Sequence, residues 1–203
     1  QSIREDREAF ILADKLGFVE GYCGEHTTDL VEVITSTVAF MASLAYETKN
    51  IRLGTGTVNL PNSHPARVAA EVAMLDHMLE GRLTVNIISS DFPGETEDSA
   101  FRYNRSREVV QILKQAWSQD EINHEGNIYQ FEGLTTDPAR PYQQNGGPLL
   151  YFGGYSPPAL DLCGEFCDVY LMWPETRPDL TERMKAVHER AASYGRTLDY
   201  GLR

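Results

Sequence analysis

Six short apolar runs in this chain each end in residues whose types can do chemistry. The ends are Glu25-His26, Thr55–Leu60, Ser89–Asp91, Gly153–Ser156, Trp173 and Arg203. An imidazole titrates near neutral pH, so His26 is a candidate for passing protons. It equally fits a structural histidine bonded to a loop carbonyl. Glu25 and His26 are neighbours on an extended chain and point to opposite sides, so they do not form an adjacent acid–base pair. Two ends are glycine-rich, Gly54-Thr55-Gly56-Thr57 and Gly153-Gly154-Tyr155-Ser156, and offer backbone N–H groups to an anion. The second also leads into a helix N-terminus, where the dipole favours negative charge. Neither run is a dinucleotide fingerprint or a P-loop, and the same glycines also fit simple tight turns. Asn86 and Tyr103 likewise have bland alternatives, as a group satisfying buried backbone and a ring packed at a helix start.

The elements that would position these residues alternate as strand and helix. Ile51–Gly56 reads as a strand, Pro65 opens a helix with Val68, Val72, Leu75 and Leu79 on one stripe, and Gly81 closes it. Leu83–Ile88 follows as a strand covered on both faces. Around this βαβ unit lie a helix at Glu5–Leu16, with Ala9, Leu12, Ala13 and Leu16 as its packed face, and a strand at Phe18–Cys23. A second helix is expected at Thr35–Tyr46. Ser89–Arg105 reads as a long polar loop, and Ser106–Trp117 as a helix. Residues 121–147 break the alternation, and glycines on both sides of Ile128–Phe131 suggest a small hairpin outside the main sheet. Leu149–Gly153, Pro157–Gly164, Asp168–Trp173, Leu180–Tyr194 and Leu198–Arg203 resume strand, helix, strand, helix and strand.

Composition narrows the function. The 203 residues suffice for a single domain, and 41% hydrophobic with 24% charged residues is ordinary for a soluble globular protein. A formal net charge of −12 without a basic stripe argues against nucleic acid as a partner. No apolar run approaches membrane-spanning length, which argues against a membrane. The three cysteines, Cys23, Cys163 and Cys167, suit reduced, buried thiols in a cytoplasm. Cys163 and Cys167 lack a matching His or Cys pair, so core packing is favoured over zinc and no metal site is expected. His64 and His77 read as structural, His124 and His188 as surface residues.

The stretch IRLGTGTVNLP…HPARVAAEVAMLDHMLEGRL resembles the signature of the bacterial luciferase-like, flavin-dependent monooxygenases. The resemblance implies an α/β TIM (β/α)8 barrel. Aligned with that family, the chain lacks the first and last strands, and residues 1–203 form one partial barrel domain with the excursion at about 121–147. An open sheet edge at such a gap invites pairing, so these residues are not expected to behave as a solitary monomer.

Further segments extend the resemblance to the alkanesulfonate monooxygenases of the same superfamily. Their YFGGSS stretch, whose glycines and serines hold the FMN phosphate, is similar to Tyr151–Ser156, which places Gly153, Gly154, Tyr155 and Ser156 at the cofactor with a Tyr for the first Ser. Their strand ending NVVTGGD matches NIISSD, implying Asn86 and Ser89 as flavin contacts, and Thr55 lies at the neighbouring exit. An Arg-Tyr pair whose Tyr meets the phosphate corresponds to Arg102-Tyr103, while a histidine expected four residues before the Tyr is Ser99. Trp173 and Arg203 match the Trp of LTWGEP and the Arg of FGIRLH, which line the family's site. His26 resembles the histidine that acts in the chemistry of luciferase and its near relatives. The sulfonate group's active-site Cys has no equivalent, so the first half leans to luciferase and the second to the sulfonate branch.

The implied activity is a two-component monooxygenase. Reduced FMN comes from a flavin reductase, and oxygen from O2 goes to a small organic substrate, such as a sulfonate or sulfone. The resemblance also implies a homodimer or higher homo-oligomer. Two alternatives stay open: an F420-dependent oxidoreductase of the same fold, and a non-catalytic flavin-binding protein with a shortened barrel.

Overall fold

The computed structural model describes residues 2–27, 29, 31–59, 63–91 and 94–202. In chain order they form α1 (Ile3–Leu16), β1 (Glu20–Cys23), α2 (Thr37–Ala42), β2 (Arg52–Thr55), β3 (Val58–Asn59), α3 (Pro65–Met78), β4 (Leu83–Ile88) and α4 (Ser99–Ser118). The hairpin β5 (Glu121–Glu125) and β6 (Gln130–Thr135) follows. The chain then runs through β7 (Leu149–Phe152), α5 (Pro157–Phe166), β8 (Val169–Met172), α6 (Arg177–Ser193) and β9 (Asp199–Leu202). The main sheet is parallel, in the order β1-β2-β4-β7-β8-β9, with the short β3 also paired to β4. Every strand therefore leaves the sheet at the same end, and the expected exits share one rim.

The sheet curls. Tyr22 on β1 and Tyr151 on β7 are separated by two strands, about 14 Å on a flat sheet. Their rings meet edge to face at 5.8 Å, so both stand on a concave inner face. Gly54, between them on β2, makes this possible: a Cβ there would lie 2.4 Å from the Tyr22 ring. Burial raises the Tyr22 phenol well above its usual range, aided by Tyr151 and Glu20, and Tyr22 donates to Glu20 Oε2 at 2.9 Å. On the outer face, Val68, Val72, Leu75 and Leu79 bury against β4 and α4, and Trp117 Nε1 donates to the Ala69 carbonyl. Cys23, Cys163 and Cys167 are free thiols inside this core.

Several boundaries differ from the sequence reading. In α1, Leu12 and Leu16 are 55% and 67% exposed, while Phe10, Ile11 and Ala13 pack against the core. Two anchors set this rotation: the Phe10 ring sits edge-on to Phe40 at 5.7 Å, and Asp14 accepts from the N–H groups of Lys49, Asn50 and Ile51. α2 stops at Ala42, and the chain continues through i+3 bonds from Ser43 to Phe40 and Leu44 to Met41. α4 begins at Ser99, where a loop to Arg105 was expected, because Asp98 caps the N–H groups of Ala100 and Phe101. In the hairpin, Gly126-Asn127 lies in the turn and Gly133 inside β6.

Glu108 organises this hairpin. Its carboxylate accepts from the N–H groups of Asn127, Ile128 and Tyr129 and faces His124, whose side chain is 8% exposed and so is not the surface residue expected. Burial alone would raise the Glu108 carboxyl, but the three N–H donors and His124 outweigh it and hold it below the ordinary range. Asp14 is depressed against its burial in the same way, with Arg82 adding to its three N–H donors. Both folded values thus lie below the unfolded values of about 4.3 and 3.9, so the unfolded chain binds more protons in acid. Their stabilisation is present above about pH 4.3 and is lost as pH falls through the folded values. Glu108→Gln is expected to cost about 2–3 kcal/mol at pH 7, and to flatten the fall in melting temperature between pH 5 and 3. Urea and thermal melts of the intact protein across that range check it.

Candidate active site

The rim is built around an exchange of hydrogen bonds between β2 and β4. Backbone pairing of β2 with β4 covers Leu53 to Leu83 and Gly54 to Thr84, and resumes with β3 at Val58 to Ile87. Asn86 falls in the gap. There the Thr55 hydroxyl takes over the ladder, accepting from Asn86 N and donating to Asn86 O, each at 2.8 Å. Thr55 is fully buried, so its hydroxyl serves the sheet. Asn86 is 3% exposed, and its Oδ1 has no hydrogen-bond partner among the described residues. Such an orphaned acceptor is costly, and Asn86 lines two cavities. One is lined by Tyr22, Gly24, Gly56, Asn86, Leu171 and Leu202. The other is bounded by Thr57, Ile88, Gly153, Gly154, Tyr155, Met172 and Trp173 as well.

The β7 exit and the start of α5 form a second part. Ser156 is the N-cap of α5 but makes no side-chain capping bond; its hydroxyl donates instead to the Tyr103 hydroxyl at 3.2 Å. The two expected phosphate residues, 53 positions apart, are therefore neighbours. Pro157 and Pro158 carry no N–H, which leaves Ala159 as the donor in the first three helical positions. Gly154 allows close approach of strand exit and helix: a Cβ there would sit 2.8 Å from Ala159 Cβ. Its carbonyl accepts from the Tyr170 hydroxyl at 2.9 Å.

Ser89 faces α4, donating to the Arg102 carbonyl at 3.3 Å and accepting from Ser106 Oγ at 2.8 Å. Asp91 pairs with Arg102 at 2.7 Å and Glu97 with Arg105, which ties both carboxylates to α4. Tyr155 and Trp173 stand together, the Trp173 N–H donating to the Tyr155 hydroxyl at 3.2 Å. His26 lines neither cavity. Its side chain is half exposed, its Nδ1 contacts Glu32, and its backbone N–H donates to the Ile34 carbonyl. Glu25 turns the other way and accepts from the Thr37 N–H and hydroxyl at the start of α2. Arg203 lies outside the described residues. Tyr22, on the floor of the concave face, carried no recognisable motif, and Tyr151 opened the YFGG stretch without being singled out. Arg183, which stacks on Tyr155 and pairs with Glu175, was also unmarked in the sequence.

Residues 1–203 match the luciferase-like monooxygenases along their whole length. The chain belongs to that family. It is 58% identical over 191 residues to the sulfoquinovose monooxygenase of Agrobacterium fabrum, covering 94% of this chain and 48% of that protein. This family member thus spans about half the length of that relative. Among solved structures, the oxygenating constituent of 3,6-diketocamphane monooxygenase from Pseudomonas putida, in complex with FMN, superposes with a TM-score of 0.81 at 23% identity. The match covers 98% of this chain and 61% of that one. An F420-dependent secondary alcohol dehydrogenase gives 0.87 at 20% identity, over 100% of this chain and 64% of that one. Both likenesses establish the shared barrel architecture. Among the described residues, the parallel strands β1, β2, β4, β7, β8 and β9, with β3 beside β4, leave the sheet on one rim.

Thr55→Val is expected to leave both backbone groups of Asn86 unpaired and to lower stability by about 2 kcal/mol. Equilibrium urea unfolding checks this; a change under 0.5 kcal/mol contradicts the ladder role of the hydroxyl.

Proposed function

We propose that this chain carries the flavin-binding rim of a monooxygenase that uses reduced FMN from a separate reductase, and O2, to oxygenate a small organosulfur substrate of the sulfonate class. The observation that carries the reading is the buried, unpartnered Asn86 Oδ1. It is an acceptor, and the ring system of a reduced flavin presents N–H donors, so the two are complementary. The Tyr103–Ser156 hydroxyl pair beside the α5 N-terminus suits a phosphate, with the two prolines shifting the donation from helix N–H groups to hydroxyls. The 58%-identical relative named for sulfoquinovose supports the sulfonate class.

Bound reduced flavin would supply the electrons that activate O2. The chain's own residues have three tasks in this reading. Thr55 holds the Asn86 backbone so that its amide meets the ring edge at a fixed place. Ile88, Leu171 and Met172 line the cavity with apolar surface that limits water, beside the half-exposed Trp173. His26 stands half exposed outside both cavities; with its Nδ1 against Glu32, Nε2 is the atom through which it would exchange a proton in this reading. The oligomer and the cytoplasmic location belong to the same proposal.

Titration of the intact protein with reduced FMN, reduced riboflavin and reduced F420 tests the cofactor. Asn86→Leu is expected to weaken FMN and riboflavin equally, by about 10-fold, as for the loss of one buried hydrogen bond. Tyr103→Phe is expected to weaken FMN about 5-fold and leave riboflavin unchanged. Equal loss for both ligands removes Tyr103 from the phosphate, and preference for F420 overturns the FMN reading. For the reaction, His26→Ala is expected to keep flavin affinity and lower product per reduced flavin, up to about 100-fold. An unchanged yield makes His26 a structural residue.

A further inference from the structure

We propose that Arg183 is a positioning residue that latches the exits of β7 and β8 together and thereby sets the aromatic wall against which the substrate is selected. The proposal rests on the flavin-dependent reading above for what lies on the other side of the cavity. Its own basis is a closed set of contacts. The Arg183 guanidinium lies 3.9 Å from the centroid of the Tyr155 ring. The same guanidinium pairs with Glu175 through two bonds, Nε to Oε2 at 2.5 Å and Nη2 to Oε1 at 2.9 Å. Glu175 lies two residues after Trp173, and the Trp173 N–H donates to the Tyr155 hydroxyl at 3.2 Å. Starting from Tyr155, the contacts run to Arg183, to Glu175, along the chain to Trp173 and back to Tyr155.

An isolated surface ion pair would contribute little and order nothing. Here both partners are only about a quarter exposed, 27% for Arg183 and 26% for Glu175, and the cation is stacked as well as paired. A stack of this kind is effective within about 6 Å of the ring centroid. The planar fork of arginine can bond a carboxylate along its edge while presenting its face to a ring; a lysine can do one of the two. Pro174 limits the connecting chain further, so fixing Tyr155 and Glu175 leaves the loop after β8 little freedom. Tyr170 adds a parallel tie by donating to the Gly154 carbonyl.

The latch bears on one wall of one cavity. Tyr155 and Trp173 line it together with Gly153, Gly154 and Asn86. Asn86, Tyr103 and Ser156, assigned above to the flavin, are held elsewhere: the Asn86 backbone by Thr55 on β2, and Ser156 by the Tyr103 hydroxyl on α4. Tyr155, which the resemblance placed at the cofactor, belongs in this proposal to the substrate wall, so loss of Arg183 should loosen that wall while Asn86, Tyr103 and Ser156 keep their places. The consequence is read in substrate KM, with flavin affinity spared.

Arg183→Met and Arg183→Lys in the intact protein test this, beside Tyr155→Phe, which keeps the ring and removes the hydroxyl acceptor. With a sulfonated sugar as probe, Arg183→Met is expected to raise KM about 10-fold while kcat changes less than about threefold and the FMN Kd stays within about twofold. Arg183→Lys should fall between wild type and Arg183→Met. Independently of turnover, iodide quenching of tryptophan emission, with the Trp173 share assigned by Trp173→Phe, should rise in Arg183→Met and in Tyr155→Phe. Unchanged quenching overturns the latch, and a raised quenching with unchanged KM overturns its role in selection. A KM change matched by an equal change in FMN Kd also overturns it. A wild type inert with reduced FMN and sulfonates contradicts the monooxygenase reading, while the quenching arm still decides the latch.

Discussion

A side-chain hydroxyl that replaces a missing stretch of sheet ladder is the constraint on which the site depends. Between the last β2 pair at Gly54 and the first β3 pair at Val58, the chain leaves regular pairing, and the backbone of Asn86 loses its neighbour. Thr55 satisfies both the N–H and the C=O of that residue. The departure at residues 56–57 opens the rim, and the hydroxyl keeps β4 in place while it does so. Asn86 is left with a settled backbone and an unsettled side chain. A buried amide with an orphaned carbonyl is tolerated in a native structure where something else is to bind it, and this one belongs to a residue that lines both cavities.

Away from the rim, the acidic excess of the chain has a structural use. Three carboxylates hold returning segments by their backbone donors: Asp14 takes residues 49–51, Glu108 takes residues 127–129, and Asp76 takes Gln143 through its N–H and side-chain amide. Each sits on a helix and captures the chain as it comes back from a turn or excursion. Arg82 does the reverse at the turn that Asp14 also holds, donating to carbonyls of Ala45, Thr48 and Ile51. The rim is thus carried on a frame whose joints are charge-assisted hydrogen bonds, which are stronger than neutral ones. Cavity-lining groups such as Trp173 and Tyr155 can then be partly exposed without the frame loosening.

The strand–helix alternation was legible because each element carries its own period and punctuation: Pro65 and Gly81 bracket α3, and Leu83–Ile88 is the length of β4 to the residue. The exits followed from that alternation, and the pairing of Tyr103 with Ser156 followed from family resemblance. What was not legible depends on partners far along the chain. The rotation of α1 is set by Phe40 and by residues 49–51, so its apolar count pointed to Leu12 and Leu16 instead. The early start of α4 was hidden because Asp98 is one of several acidic residues in a polar run. The burial of His124 depends on Glu108, on another element. Ser89 and Thr55 lie where expected, yet their hydroxyls are engaged by Ser106 and Asn86, a matter of register that spacing does not reveal.

The central claim, that the rim around Asn86 holds a reduced flavin for oxygen transfer, is tested most directly by isotope. The intact protein is supplied with chemically reduced FMN, a sulfonated sugar and 18O2, and the product is weighed by mass spectrometry. With the product carbonyl reduced by borohydride as it forms, before its oxygen exchanges with water, the expected result is one 18O atom in the resulting alcohol for each substrate consumed under 18O2, and none under 16O2. Substrate turnover with reduced flavin or F420 that carries no oxygen from O2 would contradict it.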